Sequence, residues 1–169
     1  MAPGAELQHV LAAVGRVREK QDGIWLDRYA TVAGLLVVAV SSGVGLINAA
    51  AATERVINAY RPCVVLNYGC AGAHRRDILP GDVIIGTCVV YHSAAQFLTT
   101  GEDMEAVAVA QVCALHSVPF LTIKDISNNE FHTVTDITGG FTNFPKAEAG
   151  RRAAALILRL IERLAASSS

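Results

Sequence analysis

The sequence predicts an α/β fold of three layers, α/β/α, with helices on both sides of a mostly parallel mixed sheet. Three observations predict it. The stretches "TVAGLLVVAV" (31–40), "PCVVLN" (62–67) and "PFLTIKDIS" (119–127) are short, apolar and β-branched, without polar alternation, as in strands covered on both faces. Between them lie "SSGVGLINAAAATERVINAY" (41–60) and "EDMEAVAVAQVCALHS" (102–117), which read as helices, so the order is strand, crossover helix, strand. The length of 169 residues and the 52% hydrophobic content suffice for the core of one domain.

The elements follow in order. In "AELQHVLAAVGRVREK" (5–20), Leu7, Val10, Leu11, Val14 and Val17 recur at helical spacing, which predicts one amphipathic helix. The run at 31–40 predicts a single buried strand, the turn at Gly43–Gly45 starts a helix that reaches Tyr60, and 62–67 is the next strand. "GDVIIGTCVVYHS" (81–93) predicts a strand pair or one long bent strand, and "KAEAGRRAAALILRLIERLAA" (146–166) a long C-terminal helix. Residues 1–166 form one domain on this reading, and 167–169 a disordered tail.

Composition excludes several classes of partner. Fourteen basic against fifteen acidic side chains leave a net charge of −1, so no electrostatic footprint points to nucleic acid or an anionic membrane. A small neutral ligand fits better. Cys63, Cys70, Cys88 and Cys113 sit in or beside apolar runs without a C-x-x-C pair, which predicts reduced thiols in a cytoplasmic protein, with no disulfide, no metal site and no cofactor. The longest apolar run, "LLVVAV" (35–40), is strand-sized and far short of the roughly 20 residues that span a bilayer.

Ligands of such folds collect beyond the carboxyl ends of the strands. Three candidates lie at such ends: the turns Gly43–Gly45 and Gly69–Gly72, and the pair Ser127-Asn128. Glycines there also serve ordinary turns. Glu105 opens a helix whose next positions are nearly all apolar; it either answers the helix N-terminus or reaches a ligand's hydroxyls. The cluster His74, Arg75, Arg76 reads as a solvated turn or an anion site, and His132 as a surface or site-lining histidine.

In order, "SGVGLINAA", "NYGCAGA" with "LPGDVIIG", "DMEAVAVAQVC" and "VPFLTIKDISN" resemble the segments of the nucleoside phosphorylase and nucleosidase superfamily, which includes 5′-methylthioadenosine/S-adenosylhomocysteine nucleosidase and futalosine hydrolase. The resemblance implies cleavage of the N-glycosidic bond of a purine nucleoside in a homodimer or higher homo-oligomer. It assigns Glu6 to activating water at the anomeric carbon and Glu105 to the ribose hydroxyls, with Met104 packing on the sugar. Gly69 and Gly72 let backbone lie against ribose and nucleophile, and Cys70 stands where relatives carry serine or threonine. Ser127 and Asn128 match a Ser-Asp pair whose aspartate protonates the departing adenine.

Two departures qualify the assignment. Asn128 donates a hydrogen bond but has no proton to deliver, which suits a 6-oxopurine better than adenine. Relatives also have a strand before Ala2 and several dozen residues between Thr100 and Gly101 that supply strands and an aromatic wall for the base. A chain without them is expected to be marginally folded and slow. Three function classes follow: a nucleosidase, a phosphorylase using phosphate as nucleophile, and a weakly catalytic nucleoside binder. Asn67 stands where hexameric phosphorylases carry a phosphate-binding arginine, which favours water as the nucleophile.

Overall fold

A short helix, α1 (Leu7–Ala13), leads into a meander of three strands, β1 (Arg18–Asp22), β2 (Trp25–Val32) and β3 (Leu35–Val40), paired antiparallel in the order β1-β2-β3. The computed structural model describes residues 6–91, 100–131, 148 and 150–167; His132 and residues 168–169 lie outside the described residues. Helix α2 (Leu46–Tyr60) connects the meander to β4 (Val65–Ala73), followed by β5 (Val83–Gly86), β6 (Gly101–Glu102), α3 (Ala106–Leu115), β7 (Phe120–Asn129) and α4 (Arg151–Ser167). The second sheet has the order β5-β7-β4-β6. Its central pair, β4 with β7, is parallel, and β5 and β6 join antiparallel. The sheet is mixed, with its parallel pairing concentrated at the centre.

Four local expectations are corrected. The predicted helix over 5–20 ends at Ala13, because Gly15 takes a left-handed φ of 78° and the chain then extends into β1. The Arg28 side chain donates to Glu19 across the β1–β2 pair at 2.9 Å, a cross-strand contact that alternating charged residues supply. The predicted single strand over 31–40 is a hairpin. Ala33 (φ 49°) and Gly34 (φ 87°) turn the chain between the paired residues Val32 and Leu35, the two-residue left-handed turn that matches the twist of antiparallel strands. The strand within 81–93 stops at Gly86, where a β-carbon would lie 2.3 Å from the Thr122 methyl group of β7. At the other end α4 runs through Ser167, whose hydroxyl donates to the Arg163 carbonyl, so Ser167 belongs to the helix and not to the predicted tail.

Alternation along the parallel pair builds the layers. Val65 and Phe120 pack with Ala49, Ile57, Val109 and Cys113 of α2 and α3. Their neighbours Leu66, Leu121 and Ile123 pack instead with Ala153, Ile157 and Ile161 of α4. Successive strand residues point to opposite faces, so one uninterrupted apolar run feeds two cores. The four-residue spacing of Ala153, Ile157 and Ile161 gives α4 one buried stripe. All four cysteines are free thiols.

Candidate functional site

The carboxyl ends of β4 and β7 meet a cavity of about 840 Å³, which also runs between β3 and β4. Glu6, Gly69, Cys70, Met104, Glu105 and Ser127 all line it. They arrive from four separate stretches of sequence, which the β4–β7 register and the helices on either side bring to one end of the sheet.

Glu6 enters from the start of α1. One of its carboxylate oxygens accepts the Cys70 backbone N–H at 3.1 Å. Its own carbonyl accepts the Tyr68 hydroxyl, 2.5 Å away, and that hydroxyl also lies 2.9 Å from the Gly150 carbonyl. Tyr68 therefore ties the start of α1 to the start of α4. Burial, with the Glu6 charge beside it, pushes the Tyr68 phenol up, so it remains a neutral donor. Burial and the same carboxylate push the Cys70 thiol up to about 12, which makes it a neutral, unreactive wall.

The glycines of "NYGCAG" serve different ends. A β-carbon on Gly69 would stand 3.4 Å from both Glu6 carboxylate oxygens, in ordinary contact with the carboxylate. On Gly72 it would stand 3.1 Å from the Asn128 amide, tighter than a relaxed contact. The steric constraint therefore falls on Gly72, and the group that imposes it is the Asn128 side chain, whereas a β-carbon at Gly69 meets only ordinary contact.

Glu105 stands at the start of α3, and one of its carboxylate oxygens accepts the Gly45 N–H at 2.7 Å. That bond joins the two glycine-rich or acidic helix starts, α2 and α3, across the cavity. Asp103 caps α3 by accepting the N–H groups of Glu105 and Ala106 at 3.1 and 2.8 Å. Its second oxygen lies 2.6 Å from the Lys124 ammonium, and both side chains are almost fully buried. Sequence reasoning missed Asp103 and Lys124. The available signal was a lysine inside the apolar run "FLTIKDIS", since lysine is almost never buried unless paired.

Ser127 donates to the Asn128 side-chain oxygen at 2.9 Å and lies 3.3 Å from the Ala71 carbonyl. Asn128 itself does not line the cavity; its amide packs against Gly72, its partner across the β4–β7 pair. Asn67 accepts the Thr122 hydroxyl at 2.9 Å. Asn129, also missed, is fully buried and donates to the carbonyls of Arg75 and Ile78, fixing the turn that holds His74, Arg75 and Arg76. Within that turn Arg75 pairs with Asp77 at 2.6 Å and His74 lies 3.1 Å from Glu102. Its charges are answered locally. Among the described residues no group of three histidine, cysteine or acidic side chains is placed to hold a metal, and no helix is long and apolar enough to cross a membrane.

Comparison with known proteins adds to this geometry. Residues 19–102 match the family model described as the phosphorylase superfamily. Over 58 residues, 34% of this chain, the sequence is 45% identical to the 5′-methylthioadenosine/S-adenosylhomocysteine nucleosidase of Staphylococcus aureus (strain JH9). The corresponding protein of Staphylococcus carnosus is 47% identical over 58 residues. The matched stretch spans a quarter (25%) of the length of these curated relatives. Among solved structures, the Neisseria meningitidis nucleosidase of the same description, in complex with methylthio-immucillin-A, aligns with TM-score 0.76 at 20% identity, covering 95% of each chain. The Helicobacter pylori nucleosidase aligns with TM-score 0.78 at 15% identity, covering 94% of each chain. At those identities the likeness establishes the fold.

Proposed function

We infer from the match of residues 19–102 that this chain belongs to the phosphorylase superfamily, and on that premise we propose that it is a purine nucleosidase-type hydrolase, in which water attacks the anomeric carbon of a purine nucleoside. One observation carries the reading: the carboxylates of Glu6 and Glu105 line the same cavity, beside Gly69 and Gly72, which lie within β4 rather than in the turn that the sequence predicts. Glu6, held by the Cys70 N–H, keeps an oxygen to accept a proton from water as the carbon–oxygen bond forms. Glu105, held on one oxygen by Gly45, offers the other to the ribose hydroxyls. Met104 packs on the sugar, and Ser127 stands at the end toward the base.

As the glycosidic bond breaks, its electron pair leaves with the purine. Asn128 is an amide and supplies no proton, so a 6-oxopurine that spreads the negative charge is the better leaving group. Asn128 also acts from behind Gly72 rather than from the cavity wall, which makes it a weaker determinant than Glu6 or Glu105.

Hydrolysis is favoured over phosphorolysis by the local charge. Asn67 is neutral and engaged with Thr122, and Lys124, the cation on the strands of the site, is paired with Asp103, while the other cation lining the cavity, Arg61, stands at the end of α2, before β4 begins. Neither Asn67 nor Lys124 resembles the unpaired guanidinium suited to holding phosphate. We place the protein in the cytoplasm, acting on a small nucleoside as a homodimer or higher homo-oligomer without a cofactor. The test is a purine-release assay on inosine and adenosine with and without inorganic phosphate. Free ribose at a rate independent of phosphate supports hydrolysis; ribose 1-phosphate overturns it.

A further inference from the structure

Glu6 is held at both ends by one strand. Its carboxylate accepts the Cys70 N–H at 3.1 Å, its main-chain carbonyl accepts the Tyr68 hydroxyl at 2.5 Å, and both partners belong to β4. The Tyr68 hydroxyl faces two carbonyls, that of Glu6 and that of Gly150 at 2.9 Å, and it has one proton to give. The other donors at those carbonyls decide where the proton goes. Gly150 already accepts the Ala154 N–H at 2.9 Å, at the start of α4, whereas the Glu6 carbonyl has besides Tyr68 the His9 N–H at 3.4 Å. An unmade bond costs more at Glu6, so the proton belongs there.

Tyr68 is itself anchored in the layer under α4. Its ring packs with Ile123 of β7 and with Ala153, Ile157 and Ile161 of α4. The start of α4 is fixed to β7 by the Asp125 carboxylate, which accepts the Ala153 N–H at 3.0 Å. A β-carbon on Gly150 would lie 2.5 Å from the phenol oxygen, so glycine at 150 leaves the hydroxyl its place. The helix that Glu6 begins has no such anchorage of its own: α1 is seven residues long, and Val10 is its buried residue. A helix that short is marginal without tertiary contacts.

We propose that Tyr68 is the positioning residue of the candidate base: from β4 its hydroxyl fixes the main chain of Glu6, so that the Glu6 carboxylate stays at the Cys70 N–H and at the cavity wall. The effect on rate rests on the hydrolytic reading of Glu6, while the hold on Glu6 does not.

The experiment compares the whole chain with Tyr68→Phe, which keeps the ring in its apolar layer and removes the hydroxyl. Amide hydrogen exchange at Cys70 reads the Glu6 carboxylate directly, and Glu6→Ala gives the rate of that N–H without its acceptor. Tyr68→Phe is expected to speed exchange at Cys70 by about tenfold or more, toward the Glu6→Ala value. The Ile126 N–H, which the Asp82 carbonyl accepts at 2.8 Å, is expected to stay unchanged. In purine release from inosine kcat is expected to fall by about tenfold or more with KM unchanged, because Glu6 acts on water and not on the sugar. Added to Glu6→Gln, the same substitution is expected to cost nothing further. Cys70 exchange as slow in Tyr68→Phe as in the wild type would overturn the proposal whatever the rates, and equal acceleration at Ile126 would overturn it in favour of general loosening. An equal loss of rate in the wild-type and Glu6→Gln backgrounds would overturn it in favour of packing under α4. Faster exchange at Cys70 alone, with purine release indifferent to Glu6→Gln, would support the hold and remove the hydrolytic reading instead.

Discussion

Asp27 and Asp125 are both fully buried aspartates, one in the meander and one in the sheet that carries the candidate site, and the two regions hold them by opposite means. In the meander the Arg55 guanidinium forks onto both Asp27 oxygens, reaches Asp22 at 2.6 Å and lies 5.1 Å from the Trp25 ring centre, while Tyr60 donates to the same carboxylate. The Arg55 hydrogen bonds hold the Asp27 carboxyl below its ordinary value of 3.8, and burial opposes them. In the site sheet Asp125 instead accepts the Ala153 N–H at the start of α4, at 3.0 Å. Burial there outweighs the backbone donors and raises its pKa above 3.8. The same side chain is a charged anchor in the scaffold and a reluctant anion next to the site.

The largest expected effect breaks the scaffold half. Asp27→Asn leaves Arg55 without its buried partner and should cost about 3–5 kcal/mol of stability, measured by urea unfolding. A loss within the error of the linear extrapolation would show that Asp22 and the Trp25 ring alone hold Arg55.

Next comes the site half. Glu105→Gln keeps an acceptor for the Gly45 N–H but loses the charge, so nucleoside binding should weaken by about 1.5–3 kcal/mol with little change in melting temperature. Isothermal calorimetry on wild type and variant decides this, and equal affinities would remove Glu105 from the ribose site. Asn128→Asp introduces a proton donor and should move the ratio of adenine to hypoxanthine release upward by about tenfold. An unchanged ratio would leave Asn128 as packing against Gly72.

The smallest effect sharpens the contrast between the two aspartates. Asp27, lowered when folded, contributes stability that is present above the ordinary value of 3.8 and is lost as pH falls through its folded pKa. Asp125, raised when folded, binds its proton more tightly in the folded state, so stability falls as pH rises from 3.8 through its folded pKa. Asp125→Asn should therefore gain on wild type as pH rises from 3 toward neutrality in melting experiments. A gap that is the same at every pH would show that Asp125 does not titrate differently in the folded state.

How much of this was legible in the sequence depends on which periods competed. The buried run at 119–127 contains most of β7, because a strand covered on both faces leaves an unambiguous apolar signature, whereas the run at 62–67 reaches only Val65, Leu66 and Asn67 of β4, which continues through Gly69 and Gly72 to Ala73 where the glycines read as a turn. The meander was obscured. "QDGIW" carries an Asp-Gly turn signal, but Val14 and Val17 extend the helical spacing across Gly15, and the hairpin at Ala33-Gly34 is hidden inside one apolar run. Glu6 and Glu105 were visible as acids at helix starts, and the family resemblance assigned their roles. The pairing of Asp103 with Lys124 joins distant segments, which no local pattern encodes.

The account rests on Glu6 as the group that activates water, and the most direct measurement is the release of purine and sugar from inosine by wild type and Glu6→Gln, with products identified by mass spectrometry in the presence and absence of phosphate. The substitution keeps an oxygen to accept the Cys70 N–H and removes the base. The account predicts free ribose from the wild-type chain at a rate indifferent to phosphate, and a drop of about 10²–10⁴-fold in Glu6→Gln. Ribose 1-phosphate among the products, or equal rates for the two proteins, would contradict it.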